Sequence, residues 1–128
     1  MRTRGRTDIL DLTAQVAAAV RRAQVRSGTA TVFVPGSTAG ITTMEFEPGL
    51  TADLATALER LAPEGAPYEH NRHDDNGHAH VRAALLGASV TVPFVDGALL
   101  LGTWQQIVLV DLDTHARQRE VICQLIGD

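Results

Sequence analysis

Four of the chain's five histidines fall in one short run, Tyr68-Glu69-His70-Asn71-Arg72-His73-Asp74-Asp75-Asn76-Gly77-His78-Ala79-His80, together with two adjacent aspartates. Imidazole titrates near neutrality and ligates transition metals, so this cluster suits proton transfer, metal binding or both. His70, Asp75, His78 and His80 supply enough N and O donors for zinc or a similar ion, which takes three or four ligands. His78 and His80 share a face on extended backbone and point to different sides of a helix, so spacing alone leaves their geometry open. The competing reading is a polar loop in which Asp75 or Asn76 caps a helix and the imidazoles are solvated.

Two further groups carry chemical potential. In Leu101-Gly102-Thr103-Trp104-Gln105-Gln106 the chain's only Trp follows a small Gly-Thr pair. Glycine there permits close approach of a ligand, and indole beside a carboxamide makes a wall for a flat ring; the alternative is a core tryptophan beside a β-bulge. Arg117 and Arg119, after His115, have the fork geometry that suits phosphate, although arginines at a strand entrance also serve only to solvate a turn. Cys123 is alone, which excludes an intrachain disulfide, and its apolar surroundings mark it as core.

The elements that must position these groups follow from periodicity. Leu12 to Arg26 reads as a surface helix, with Val16, Val20 and Ala23 at helical spacing, Thr13 as N-cap and Gly28 beyond the end. Thr29 to Val34 and Ile41 to Phe46 read as strands joined by a Pro-Gly-Ser turn. Leu50, Leu54, Leu58 and Leu61 mark a second helix that Pro63 terminates. Val81 to Leu86 predicts a short helix closed by Gly87. Ser89 to Val95, Leu99 to Leu112 (bent near Gly102) and Glu120 to Ile126 read as strands, and Asp96-Gly97 is a hairpin signal. Asp113 to Gln118 makes the last turn. One α+β domain over residues 1–128 results, with short helices on largely antiparallel sheets. The last strands are apolar at nearly every position, which asks for cover on both faces and suggests subunit packing.

Composition narrows the chemistry. A net charge of -4 and a pI near 5.7 disfavour nucleic acid or an anionic membrane as partner. Arg2, Arg4 and Arg6 read as a basic tail over residues 1–7, without the apolar run of a signal peptide, so a cytoplasmic protein is expected. All 11 Lys+Arg residues are arginine, which removes Schiff-base, pyridoxal phosphate and Walker A chemistry. No organic cofactor is expected.

The run from Pro35 to the C-terminus resembles the YjbQ-like family, the secondary thiamine-phosphate synthases. The matching residues are Gly36-Ser37-Thr38-Ala39-Gly40-Ile41-Thr42-Thr43-Met44-Glu45, Tyr68, His70, Asp75-Asn76, His80, Leu86-Gly87, Ser89, Asp96-Gly97, Leu101-Gly102-Thr103-Trp104-Gln105, Arg117 and Arg119. The resemblance implies a small α/β sandwich, a homotrimer with clefts near subunit boundaries, and weak coupling of hydroxymethylpyrimidine pyrophosphate to thiazole phosphate with release of pyrophosphate. It implies His70, Asp75, Asn76 and His80 at the polar centre of a cleft, with Trp104 and Gln105 beside it. His70, Asp75 and His80 are then the catalytic candidates. Ser37, Thr38, Asn76, Thr103, Trp104, Gln105, Arg117 and Arg119 would bind substrate. Where many family members begin the first motif with His-Thr-Thr-Ala, this chain has Gly36-Ser37-Thr38-Ala39. Two other readings use the same residues. In one, His70, Asp75 and His80 hold zinc with an open position and give a metal-dependent hydrolase of a phosphorylated small molecule, whereas in the coupling reading a Mg²⁺ on Asp75 would offset the charge of the departing pyrophosphate. In the other, the chain is a non-catalytic trimeric binder of a phosphorylated heterocycle.

Overall fold

Seven strands and three helices carry the chain, described over all residues 1–128 by a computed structural model. In order they are β1 (Asp8–Asp11), α1 (Thr13–Arg22), β2 (Gly28–Phe33), β3 (Ala39–Met44), α2 (Pro48–Leu61), a 3-10 turn (Glu69–Arg72), α3 (Gly77–Leu86), β4 (Ser89–Val95), β5 (Ala98–Leu99), β6 (Gln106–Asp111) and β7 (Ile122–Gly127). The fold is α+β, as the pattern predicts. All strand pairings are antiparallel, in a three-stranded sheet β1-β6-β3 and a four-stranded sheet β5-β4-β2-β7.

Two apolar layers hold these elements together. Between the sheets, Ile41, Ile107 and Leu109 pack with Ala30, Val32, Val92 and Phe94, and α1 closes the side with Leu12 just before it and Val16 and Val20 within it. On the other face of the three-stranded sheet, Val108, Val110 and Leu112 pack under Leu58 of α2 and Ala79 and Ala83 of α3. β6 therefore points alternate residues into two cores, which explains its unbroken apolar run. Both of its faces are covered within one chain, so that run does not call for a second subunit. The uncovered surface is elsewhere. Across the outer face of the four-stranded sheet, the register aligns Ile126-Thr29-Pro93, Gln124-Thr31-Thr91 and Ile122-Phe33-Ser89, none of them charged and all at least partly exposed.

Several local expectations shift. Asp96 and Gly97 both take positive φ, +51° and +76°, and turn β4 into β5 as an Asp-Gly hairpin should. Helix α2 starts at Pro48 beneath Glu47, whose carboxylate accepts the Gly49 and Leu50 N–H groups, and ends before Pro63. Helix α1 stops at Arg22 rather than Arg26, and Gly28 opens β2. Thr13 is not its cap: Asp11 Oδ1 accepts the Thr13 N–H at 2.9 Å, while Thr13 Oγ1 accepts the Ile107 N–H. The Pro35-Gly36-Ser37 segment carries the chain from one sheet to the other. The run 99–112 is not one strand, because pairing lapses between Leu99 and Gln106 and Trp104 sits in the intervening turn, 73% exposed. That overturns both the buried-strand reading and the core-tryptophan reading.

Residues 1–7 are not a loose tail. Thr3 is buried, Arg2 bridges Gln118, and the Thr3 N–H donates to the Arg117 carbonyl at 2.9 Å. This docking carries the chain into β1, whose four residues Asp8-Ile9-Leu10-Asp11 are too short to show alternation. No helix is long and apolar enough to cross a membrane.

Candidate functional site

Past the end of β6 at Asp111 the chain runs on through Leu112, Asp113 and Thr114. Asp111 and Asp113 are drawn together by the Asp113 N–H, which donates to Asp111, and by shared partners. Both are almost fully buried. Asp111 accepts Arg119 Nε at 2.9 Å, Arg119 Nη2 at 3.0 Å, the Asp113 N–H at 3.1 Å and the Thr3 hydroxyl. Burial pushes its carboxyl upward, and the bonds from Arg119, Thr3 and the Asp113 amide outweigh that, so it lies below the ordinary range. Asp113 accepts the Thr114 N–H (2.8 Å), Asn76 Nδ2 (3.2 Å), Thr38 Oγ1 (3.0 Å) and Arg117 Nε (2.9 Å). Here too burial works against ionisation, and these four donors hold the carboxyl at about 2. Arg119 Nη2 also donates to Thr38 Oγ1 at 2.7 Å, which ties the two halves into one network.

Above this base lies the histidine segment, whose geometry is set by where α3 begins. The helix starts at Gly77, with Asn71 Oδ1 accepting the Gly77 N–H at 2.9 Å. A side chain at Gly77 would collide with Tyr68 and Asn71. The buried Asn76 makes no side-chain capping bond and reaches between Asp113 and His70 instead. His70 Nε2 is 3.1 Å from Asn76 Oδ1. His80, in the first turn of α3, brings its ring to 4.3 Å from that of His70, tilted by 53°.

Helical spacing sends His78 the other way. It is buried, its Nδ1 has no hydrogen-bond partner, and burial together with nearby Arg82 lowers its pKa. His73 is exposed at the end of the 3-10 turn. Asp75 is exposed and turned outward: its carboxylate lies 3.3 Å from Thr114 Oγ1 and 3.8 Å from His115 Nε2. The expected set of His70, Asp75 and His80 does not close on a common point, and no three His, Cys, Asp or Glu side chains converge as metal ligands. Within one chain these side chains do not bring together the three or four donors that zinc takes.

The substrate-binding candidates divide. Asn76, Thr38, Arg117 and Arg119 join the histidine site, but Thr38 and Arg119 are committed to the two aspartates, and only Arg117 keeps a half-exposed guanidinium. Ser37 is exposed beside them. Thr103, Trp104 and Gln105 are not there. Gln105 Nε2 donates to Thr43 Oγ1 at 3.1 Å. Thr43 lies five residues along β3 from Thr38, roughly 16 Å at strand rise. The histidine pair lies on an open surface of the chain. A concavity of about 460 Å³ near Arg4, Asp8, Phe46 and Glu47 includes none of these residues.

Asp111, Asp113, Thr3 and Thr114 did not stand out in the sequence. Their signal is present: two aspartates at period two end an apolar strand, and two arginines at the same period follow.

Comparison with known proteins now bears on this arrangement. The family model "UPF0047 protein YjbQ-like" matches residues 1–128. The chain belongs to the YjbQ-like family. A UPF0047 protein of Archaeoglobus fulgidus is 38% identical over 122 residues, covering 95% of this chain and 94% of the relative. A YbjQ-like protein of unknown function from Sulfolobus solfataricus superposes with a TM-score of 0.95 at 34% identity, covering 100% of this chain and 94% of its own. A YjbQ/UPF0047 family protein from Clostridium acetobutylicum gives 0.91 at 35% identity, covering 98% and 96%. The YjbQ-like match spans the N-terminal residues as well, consistent with their docking onto Arg117 and Arg119.

Proposed function

We propose that this YjbQ-like chain is a cytoplasmic transferase of low activity that couples hydroxymethylpyrimidine pyrophosphate to thiazole phosphate. The observation that carries the reading is the His70–His80 pair, 4.3 Å between ring centres, on the same polar network as the half-exposed Arg117. The reaction needs those groups. The thiazole nitrogen lone pair forms a C–N bond to the pyrimidine methylene carbon as its C–O bond breaks, and the electron pair leaves with pyrophosphate. An imidazolium of the pair donates a proton to the departing oxygen, and Arg117 offsets its charge.

Trp104, with Thr103 and Gln105, joins the site from a second copy in a homotrimer and stacks on the pyrimidine. Two features support that placement: the exposure of the only Trp, and the uncharged outer face of the four-stranded sheet. His70→Ala and His80→Ala should each lower kcat about 100-fold or more, the range for a lost general acid or base. His73→Ala should leave it unchanged. Full activity in both of the first two variants would remove the pair from the mechanism.

A further inference from the structure

We infer that Asn76 and Asp113 are positioning residues that fix the proton of neutral His70 on Nε2 and leave Nδ1 as the one nitrogen that gains or loses a proton. The inference deepens the reading of the histidine site as a proton-transfer centre.

The argument runs along the network by hydrogen-bond polarity. Asp113 is a carboxylate with Arg117 and Thr38 on Oδ2 and the Thr114 amide on Oδ1, so it offers no proton to Asn76. The Asn76 group facing it at 3.2 Å must therefore be the donating NH2. An Asn amide has one oxygen, and with its nitrogen turned to Asp113 that oxygen faces His70 Nε2 at 3.1 Å. A carbonyl oxygen only accepts, so Nε2 carries hydrogen. Neutral imidazole has one N–H, which leaves Nδ1 with its lone pair and no protein partner.

The Asn76 side chain is held in this sense. It is 5% exposed, and Asn71 rather than Asn76 satisfies the first amide of α3. Reversing the amide would set its oxygen against the Asp113 carboxylate and its NH2 against an N–H of His70. The clash with the Asp113 carboxylate alone, whichever tautomer His70 took, disfavours the reversed amide.

The arrangement has a chemical consequence. When His70 takes up a proton, Nε2–H keeps its bond to Asn76 and only Nδ1 changes from acceptor to donor. The ring can then act as base and as acid without turning. Because a neutral amide stands between His70 and Asp113, the carboxylate orients the ring without forming a direct ion pair with it.

Nitrogen-15 NMR of histidine-labelled protein tests this without substrate, at about pH 8.5, where an ordinary imidazole is neutral. In the wild type, His70 should show a pyrrole-type Nε2 and a pyridine-type Nδ1, whereas exposed His73 should show averaged tautomers. Asn76→Ala leaves Asp113 its other donors and removes no capping bond, so the fold should persist and His70 should average like His73. An Nδ1–H or averaged His70 in the wild type would overturn the inference. So would an unchanged Nε2–H tautomer in a folded Asn76→Ala protein. Loss of coupling activity with the tautomers as described would count against the proposed reaction and not against this inference.

Discussion

The carboxylate of Asp113 should control acid stability through a single measurable difference, that between the wild type and Asp113→Asn. In the folded chain Asp113 lies at about 2 against an ordinary 3.8. That difference, about 1.8 pK units at 1.36 kcal/mol each, amounts to about 2 kcal/mol of pH-dependent stability. The sign follows from proton uptake. Between the two values the unfolded chain binds the proton and the folded chain does not, so stability rises with pH across this window. The contribution is fully present above about pH 4 and falls as pH drops through 2. Asparagine has the same shape and does not titrate. Urea unfolding of both proteins from pH 6 to pH 2 should therefore show the wild-type advantage shrinking by about 2 kcal/mol, most of it below pH 4. A difference independent of pH would refute the claim that Thr114, Asn76, Thr38 and Arg117 together hold this group ionised.

The other expectations concern separate parts of the molecule. Arg119→Met leaves Asp111 buried without its cation and should cost about 3–5 kcal/mol in urea unfolding, and Asp111→Leu combined with it should recover part of that loss. A loss under about 1 kcal/mol would mean the pair is not the anchor described. Thr31→Glu places a charge at the centre of the open sheet face and should convert the proposed trimer to monomers in sedimentation; a wild type that sediments as a monomer, or a variant that stays trimeric, would remove this face as the interface. Trp104→Ala should cost under about 1 kcal/mol in stability, as a surface substitution does, yet reduce coupling activity. Wild-type activity would sink the assignment of this residue to a neighbouring copy's site.

What the sequence revealed tracks how local the cause is. The Asp96-Gly97 hairpin and the stop of α2 before Pro63 depend on residues within one turn, and both are where pattern places them. The first strand escaped notice because its pairing partner is a hundred residues away and its four residues carry no period. The 99–112 run misled because hydrophobicity does not show a lapse in pairing, and Trp104 is exposed where composition suggested burial. The site shows the same division. Histidine clustering drew attention to His70 and His80, but only the helix start at Gly77 separates His80 from His78. Asp111 and Asp113 were hidden because a buried carboxylate is intelligible only with its partners: the two arginines follow close by in the chain, but Thr3, Thr38 and Asn76 come from three distant segments.

Phosphorus NMR of the purified protein with hydroxymethylpyrimidine pyrophosphate, with and without thiazole phosphate, tests the proposed coupling most directly. The account predicts that pyrophosphate appears only when both substrates are present, one for each thiamine phosphate formed, and that His70→Ala abolishes both signals. Pyrophosphate or phosphate released at the same rate without thiazole phosphate would contradict it and make the protein a hydrolase.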